Sequence, residues 1–301
     1  MFKKVLFILF FVFSFSNCFA KNQSELQNIL LEAINQSKEK FPNFIAKDIS
    51  ITLIDITNKN IPIKAEYQGE QEFYPASILK LFLLVMLEDK ILQNKINENE
   101  QIKYALNKMI SISSNDATSY IIDLLTNTTS GPELSNKKLK EFLYKRNSIN
   151  RYFKNKGYNI QIWNKPAYEG KYGRENQIPY SSKITTNDTA KLLYEIFTDK
   201  ILDQKTNSNI KNLLKRDINS AKESINEENT NYQALMFSAK YLPKDSEYYS
   251  KAGWTTKVRH DASYIILPNN KKYIFVIFTA NQSENLELIP FISKIIADNL
   301  Y

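Results

Sequence analysis

Ser77 and Lys80 stand three residues apart in the stretch Ser77-Ile78-Leu79-Lys80-Leu81-Phe82-Leu83-Leu84-Val85-Met86. On a helix this spacing puts both side chains on one face, where a hydroxyl and an amine can meet. A helix apolar on every side is a buried one, and burial disfavours the charged form of a lysine, bringing the amine toward a form that accepts a proton. An alcohol beside a partly neutral amine is an activated nucleophile. Spacing alone is a weak signal, because Ser37/Lys40 and Ser135/Lys138 repeat it in polar surroundings. The competing reading has Ser77 capping the helix while Lys80 reaches outward to water. Only the copy at Ser77 is embedded in apolar sequence.

Two further patterns follow along the chain. Ser113-Ser114-Asn115 sits at a helix boundary, with Tyr120, Ile121, Leu124 and Leu125 continuing an apolar face. Ser113 can relay a proton to a leaving group and Asn115 can hold a substrate amide; the blander reading is an N-cap cluster, and Ser148/Asn150 repeats the spacing elsewhere. In Lys251-Ala252-Gly253-Trp254, Lys251 supplies positive charge for a carboxylate, and Gly253 allows backbone to approach backbone. Arg259-His260-Asp261 comes soon after. His260 is the single histidine, and a lone histidine is more often structural. It also excludes a multi-histidine metal site. No acidic cluster replaces one, so neither metal nor cofactor is expected.

Positioning these groups falls to elements at both ends of the chain. Leu26, Ile29, Leu30, Ala33 and Ile34 have helical period in the stretch 24–38. Residues 49–56 and 61–67 read as strands joined by the Asn58-Lys59-Asn60 turn. Residues 262–267 and 273–279 form another pair about Pro268-Asn269-Asn270, and Leu288, Ile289, Ile292, Ile295, Ile296 and Leu300 line the inner side of a terminal helix. The economical fold is α+β: an antiparallel sheet built from both chain ends, flanked by the terminal helices, with an inserted, mainly helical lobe. The α/β part covers about 21–70 and 245–301, and the lobe about 71–244.

Lys3 and Lys4, the apolar run Val5 to Phe13 and a small-residue exit at Ala20 make residues 1–20 a secretory signal peptide, too short in its apolar part to span a bilayer. Cys18 is the single cysteine. Its flanks Phe15-Ser16-Asn17 fit lipid attachment poorly, leaving that as the lesser alternative to cleavage. Export to the periplasm or the exterior is the expectation, and the mature protein then has no thiol for a disulfide. About 280 residues remain, which suits one large domain or two small ones. The formal charge of +8 is spread along the chain; it serves solubility and favours an anionic envelope. No nucleic-acid motif accompanies it.

Taken in chain order, Ser77-x-x-Lys80, Ser113-x-Asn115 and Lys251-x-Gly253 resemble the motif set of class A β-lactamases and penicillin-binding proteins. Gly131-Pro132 and Thr185-Thr186 look like landmarks of that family. Tyr172-Gly173-Arg174-Glu175 is at home in its divergent branch of β-lactamase-related serine hydrolases. The resemblance covers the chain from about residue 25 to the end. It implies that Ser77 attacks a carbonyl, Lys80 assists proton removal, Ser113 shuttles the proton, Asn115 binds the substrate amide and Lys251 supports a carboxylate. The N–H of Ser77 and one just beyond Gly253 would form the oxyanion hole. The partner implied is a small-molecule β-lactam or a peptidoglycan peptide.

Several departures bear on turnover. Ala252 stands where the family has Ser or Thr, and Ser114 replaces an acidic residue. His260, or Arg259 with a one-residue shift, falls where many class A enzymes place a carboxylate-binding Arg. The loop 163–183 has no clean Glu-x-x-x-Asn signature for activating a deacylating water; Glu169 and Glu175 are its two candidates. The Lys/Asn-rich segment 136–155 reads as an insertion. These features point to a hydrolase acylated at Ser77 with weak or no β-lactamase turnover; the alternative is a catalytically inactive relative that binds in the envelope.

Overall fold

A computed structural model describes residues 22–166, 169–218 and 232–301. The expected signal peptide and Cys18 lie outside them. The first helix, α1, spans 22–40 and is followed by β1 (Ile49–Asp55) and β2 (Ile63–Tyr67). The lobe holds α2 (Leu79–Leu92), α3 (Glu100–Ser111), α4 (Asn115–Thr126), α5 (Asn136–Arg146), α6 (Ser148–Asn155), α7 (Gly173–Asn176), α8 (Thr186–Phe197) and α9 (Gln204–Leu214). Then come β3 (Lys215–Arg216), α10 (Tyr232–Leu235), β4 (Glu247–Trp254), β5 (Val258–Ile266), β6 (Lys272–Ala280) and α11 (Leu288–Leu300).

The strands form one antiparallel sheet in the order β2-β1-β6-β5-β4-β3, so strands from the two chain ends meet where β1 pairs with β6. This is the α+β architecture expected from the sequence. Each face of the sheet is covered by helices, and two cores result. On one face, Leu30, Ile34, Ile292 and Ile296 of α1 and α11 pack on Ile51, Phe275 and Ile277. On the other, Leu81 to Leu87 of α2 and Leu192, Leu193 and Ile196 of α8 join Ile274, Val276 and Phe278.

The structure lengthens β5 beyond the expected 262–267, back to Val258. Its first half, Val258-Arg259-His260-Asp261, carries no apolar alternation, yet all four residues are buried. A sheet covered on both faces has no solvent side, so polar residues there are retained by finding hydrogen-bond partners. The segment 136–155 is two helices, α5 and α6, divided at Asn147.

Helix starts follow their caps. Asn99, Ser114 and Thr185 each accept a bond from a backbone N–H in the first turn of α3, α4 and α8. Thr186 also ties α8 to β1, its Oγ1 lying 2.7 Å from Ser50 Oγ and 2.9 Å from Thr52 Oγ1.

Candidate active site

Ser77 lies in a single 3-10 turn, Ala76–Ile78, immediately ahead of α2. Within that turn Ala76 has φ +45°, and Ser113, at the junction of α3 and α4, has φ +60°. Both occupy the left-handed region, where a side chain costs about 1–3 kcal/mol and is kept only when its surroundings impose it. The two strained positions flank the groups most able to react.

Lys80, the second residue of the buried α2, is 1 % exposed. Its Nζ donates to Ser113 O at 2.5 Å, to Ser113 Oγ at 3.0 Å and to Asn115 Oδ1 at 3.0 Å. Burial pushes the amine down to about 7 from 10.5, so a large fraction is neutral near physiological pH. The cap role belongs to Ser114, which accepts from Ala117 N–H; this leaves Ser113 and Asn115 on either side of it to face Lys80.

Gly253 brings β4 against the turn that holds Ser77. A Cβ placed there would lie 2.8 Å from Ser77 N and 3.1 Å from Ile78 N, so only glycine permits the approach. Alternation along β4 puts Lys251 and Gly253 on the lobe face, whereas Ala252 packs into the core under α1 and α11. Lys251 is fully buried and donates to Gln233 Oε1 at 2.5 Å and to Ala252 O at 2.7 Å. Burial first, then the charges of Lys80 and Arg216, hold its amine well below the ordinary lysine value, with Asp261 opposing.

Arg216 and Gln233 join this cluster although no motif marks them. Arg216 donates to Ser111 O, Ile110 O and Ser250 O at 3.2, 2.9 and 3.0 Å. Gln233 Nε2 donates to Ser111 O at 2.7 Å. Among the described residues, the acceptors of Lys80, Lys251 and Arg216 are thus all neutral. The buried carboxylate acting on Lys251 and Arg216 is Asp261. It accepts from Tyr248 Oη and Ser238 N, and burial raises it to about 6.

The remaining sequence candidates sit elsewhere or are already occupied. His260 pairs with Gly253 across β4 and β5, but the ring is fully buried. Thr279 N–H donates to its Nδ1 at 3.1 Å, which makes Nε2 the protonated nitrogen, donating to Tyr74 O at 2.8 Å. Burial lowers its pKa to about 4. Both nitrogens are used, so the ring holds the chain three residues before Ser77 and presents nothing to a substrate. Arg259 is 3 % exposed, lies over the Phe237 ring and donates to Met236 O, on the opposite sheet face from His260.

Glu175 is bound bidentately by Arg146 of α5, at 2.9 and 2.8 Å. Lys165 lies 4.0 Å from Glu175 and donates to Asp123 at 2.6 Å. Arg146 also reaches Trp163 O and Thr128 Oγ1. This carboxylate serves a buried ion network, and neither Arg146 nor Lys165 belongs to the Ser77 cluster. The side chain of Glu169 lies outside the described residues. In the sequence Arg146 is legible only as a charge in a Lys/Asn-rich helix; nothing there pairs it with Glu175.

With this geometry in place, the family can be given. The model of the β-lactamase enzyme family matches residues 30–300, and the chain belongs to that family. Among solved structures, a PBP-A mutant determined as its acyl-enzyme complex with penicillin G is 17 % identical, with TM-score 0.65, 90 % of this chain and 95 % of that one covered. A β-lactamase from Chitinophaga pinensis is 15 % identical, with TM-score 0.65 and coverage of 89 % and 98 %. A class A β-lactamase representative from Bacteroides cellulosilyticus is 15 % identical, with TM-score 0.62 and coverage of 91 % and 98 %. At these identities the likeness is one of fold. The comparison with curated proteins found no match.

Proposed function

We propose that the chain is an exported active-site-serine hydrolase, acylated at Ser77, that acts on amide bonds of β-lactams or cell-wall peptides with weak or no β-lactamase turnover. The observation that carries this reading is Lys80: a buried amine, lowered to about 7, bonded to Ser113 Oγ and Asn115 Oδ1. Ser77 Oγ attacks the carbonyl carbon and gives up its proton toward Lys80. The oxygen–carbon bond forms while the carbonyl oxygen takes negative charge near Ser77 N–H and the backbone just beyond Gly253. Collapse breaks the carbon–nitrogen bond, and Ser113, in contact with Lys80, returns the proton to the leaving nitrogen. Asn115 spends Oδ1 on Lys80, leaving its amide N–H groups for the substrate's carbonyl. Arg216, a buried cation whose acceptors are neutral carbonyls, leaves positive potential beside Lys251 that favours a substrate carboxylate.

Hydrolysis of the acyl-enzyme needs an activated water. The Arg146 fork neutralises Glu175 as a free base, so the ester should persist. Labelled penicillin with the purified mature protein should give a covalent adduct that Ser77→Ala removes and that decays slowly. Failure with every β-lactam would redirect the substrate class; failure with a general serine-directed acylating probe as well would end the hydrolase reading.

A second reading, an inactive relative that binds in the envelope, has two observations in its favour: Ala252 offers no hydroxyl, and Glu175 is held by Arg146. It requires that Ser77→Ala leave the cellular role intact. Loss of that role in a stably folded Ser77→Ala protein would remove it.

A further inference from the structure

We propose that Arg216 and Gln233 are positioning residues that brace the end of α3 against β4 and so set the separation between the Ser113–Asn115 turn and Lys251. The inference rests on the hydrolase reading for its kinetic consequence, but the brace itself is a matter of geometry.

Arg216 emerges from β3, at the sheet edge, and is 4 % exposed. One guanidinium nitrogen bonds both Ile110 O, at 2.9 Å, and Ser250 O, at 3.0 Å; the other bonds Ser111 O at 3.2 Å. Ser111 lies two residues before Ser113, and Ser250 immediately precedes Lys251. The planar fork therefore clamps the backbones that carry two parts of the site to each other. Gln233 makes a second crosslink in parallel: Nε2 donates to Ser111 O at 2.7 Å, and Oε1 accepts from Lys251 Nζ at 2.5 Å. Ser111 O thus receives both residues, one reaching it from the strand edge and one from α10.

A purely structural buried arginine is ordinarily paired with a carboxylate, as Arg146 is with Glu175 in this same molecule. Among the described residues Arg216 donates only to carbonyl oxygens, so its charge is left to act on its neighbours. It is one of the charges that hold Lys251 below the ordinary lysine value. Lysine in place of arginine keeps the charge but has no planar fork with which to hold three carbonyls.

The test uses the full mature chain with Arg216→Lys, Arg216→Met, Gln233→Leu and Gln233→Glu. Hydrogen exchange is read by mass spectrometry over residues 108–115 and 248–254. Loss of the brace should speed exchange at least fivefold in both segments while α1, β1 and α11 stay unchanged. Covalent labelling by a reporter penicillin at several concentrations resolves the limiting acylation rate and the affinity of the non-covalent complex that precedes it. Arg216→Lys and Gln233→Leu should lower the limiting rate at least tenfold, with that affinity altered less than threefold. Gln233→Glu, which places a carboxylate at Lys251, should move the pH midpoint of acylation. Unchanged exchange in both segments would overturn the brace, as would exchange raised evenly over the whole chain. An unchanged limiting rate and pH midpoint in variants of an active wild type would overturn the positioning role. If wild type reacts with no serine-directed probe, the hydrolase reading falls, while the exchange result still decides the brace. Gln233→Leu, which leaves Arg216 in place, keeps the test open if the Arg216→Met protein does not fold.

Discussion

The molecule treats buried charge in opposite ways around Glu175 and around Ser113. Around Glu175, two cations, Arg146 and Lys165, meet two carboxylates, Glu175 and Asp123, in a network closed by Thr128 and Trp163 O. Around Ser113, three basic groups, Lys80, Lys251 and Arg216, donate to carbonyl, hydroxyl and amide oxygens, and the buried carboxylate acting on two of them, Asp261, is bonded to neither. A matched network fixes a loop. An unmatched one leaves positive potential and a lowered amine in store, which is unfavourable to folding and useful to chemistry. The contrast is between a carboxylate with matched charged partners and a buried amine whose acceptors are neutral.

The largest effect expected is at Lys80. Lys80→Ala should cut acylation by on the order of a hundredfold to ten-thousandfold, the usual range for a general base. Lys80→Arg should not restore it, because a guanidinium stays protonated; rapid labelling of the arginine variant would mean another base serves. In the wild type, acylation should rise as pH increases through about 7, where the buried amine loses its proton. Stability should follow the opposite sign to that of a lysine gaining a partner. The folded pKa is lowered, so the unfolded chain binds more protons than the folded one between about 7 and 10.5, and this group's contribution to stability rises with pH across that window. Lys80→Met should flatten the slope, measurable by urea unfolding at two pH values.

On the matched side, Glu175→Gln or Arg146→Met should destabilise by about 3–5 kcal/mol, since each leaves a buried charge without its partner. The fraction still folded should acylate at the wild-type rate. A large loss of acylation per folded molecule, with stability intact, would reverse the assignment and return Glu175 to the chemistry. Urea midpoints together with active-site titration decide between them.

Gly253→Ala sharpens the site side of the comparison. The added Cβ must displace the turn at Ser77 N or the strand opposite. If that disturbs a single oxyanion donor, the acylation rate should fall roughly a hundredfold, about 3 kcal/mol of barrier. An unaltered rate would mean the approach of β4 to Ser77 plays no part in acylation.

The smallest effect is expected at the strained turn. Ala76→Gly suits φ +45° and should stabilise by up to about 1 kcal/mol, read as a modest rise in Tm. A fall in acylation alongside that rise would tie the strain to the site.

Much of the fold is legible from patterning. The alternation of β1 and β2, the continuous apolar runs of β6 and α2, and the helical period of the terminal helix are all visible in the sequence. The first half of β5 is not, because Arg259, His260 and Asp261 are buried by partners drawn from Met236, Tyr74, Thr279, Ser238 and Tyr248. Residue type suggests His260 for a substrate; the bonds to both its nitrogens assign it to the frame. Glu175 looks equivalent to Glu169 in the sequence. Its partner Arg146 lies 29 residues away, in a helix whose composition reads only as an insertion.

The sequence by itself determined the α+β plan and the order of three motifs, because periodicity and short spacing are local properties of a chain. Tertiary structure alone decided which charges are matched. Whether a buried lysine is a base or half of an ion pair depends on what the fold brings within about 3 Å of it. That distance is closed here by Ser113 and Asn115, at the start of α4, for Lys80 and by Gln233 of α10 for Lys251, and no local pattern specifies where those residues lie.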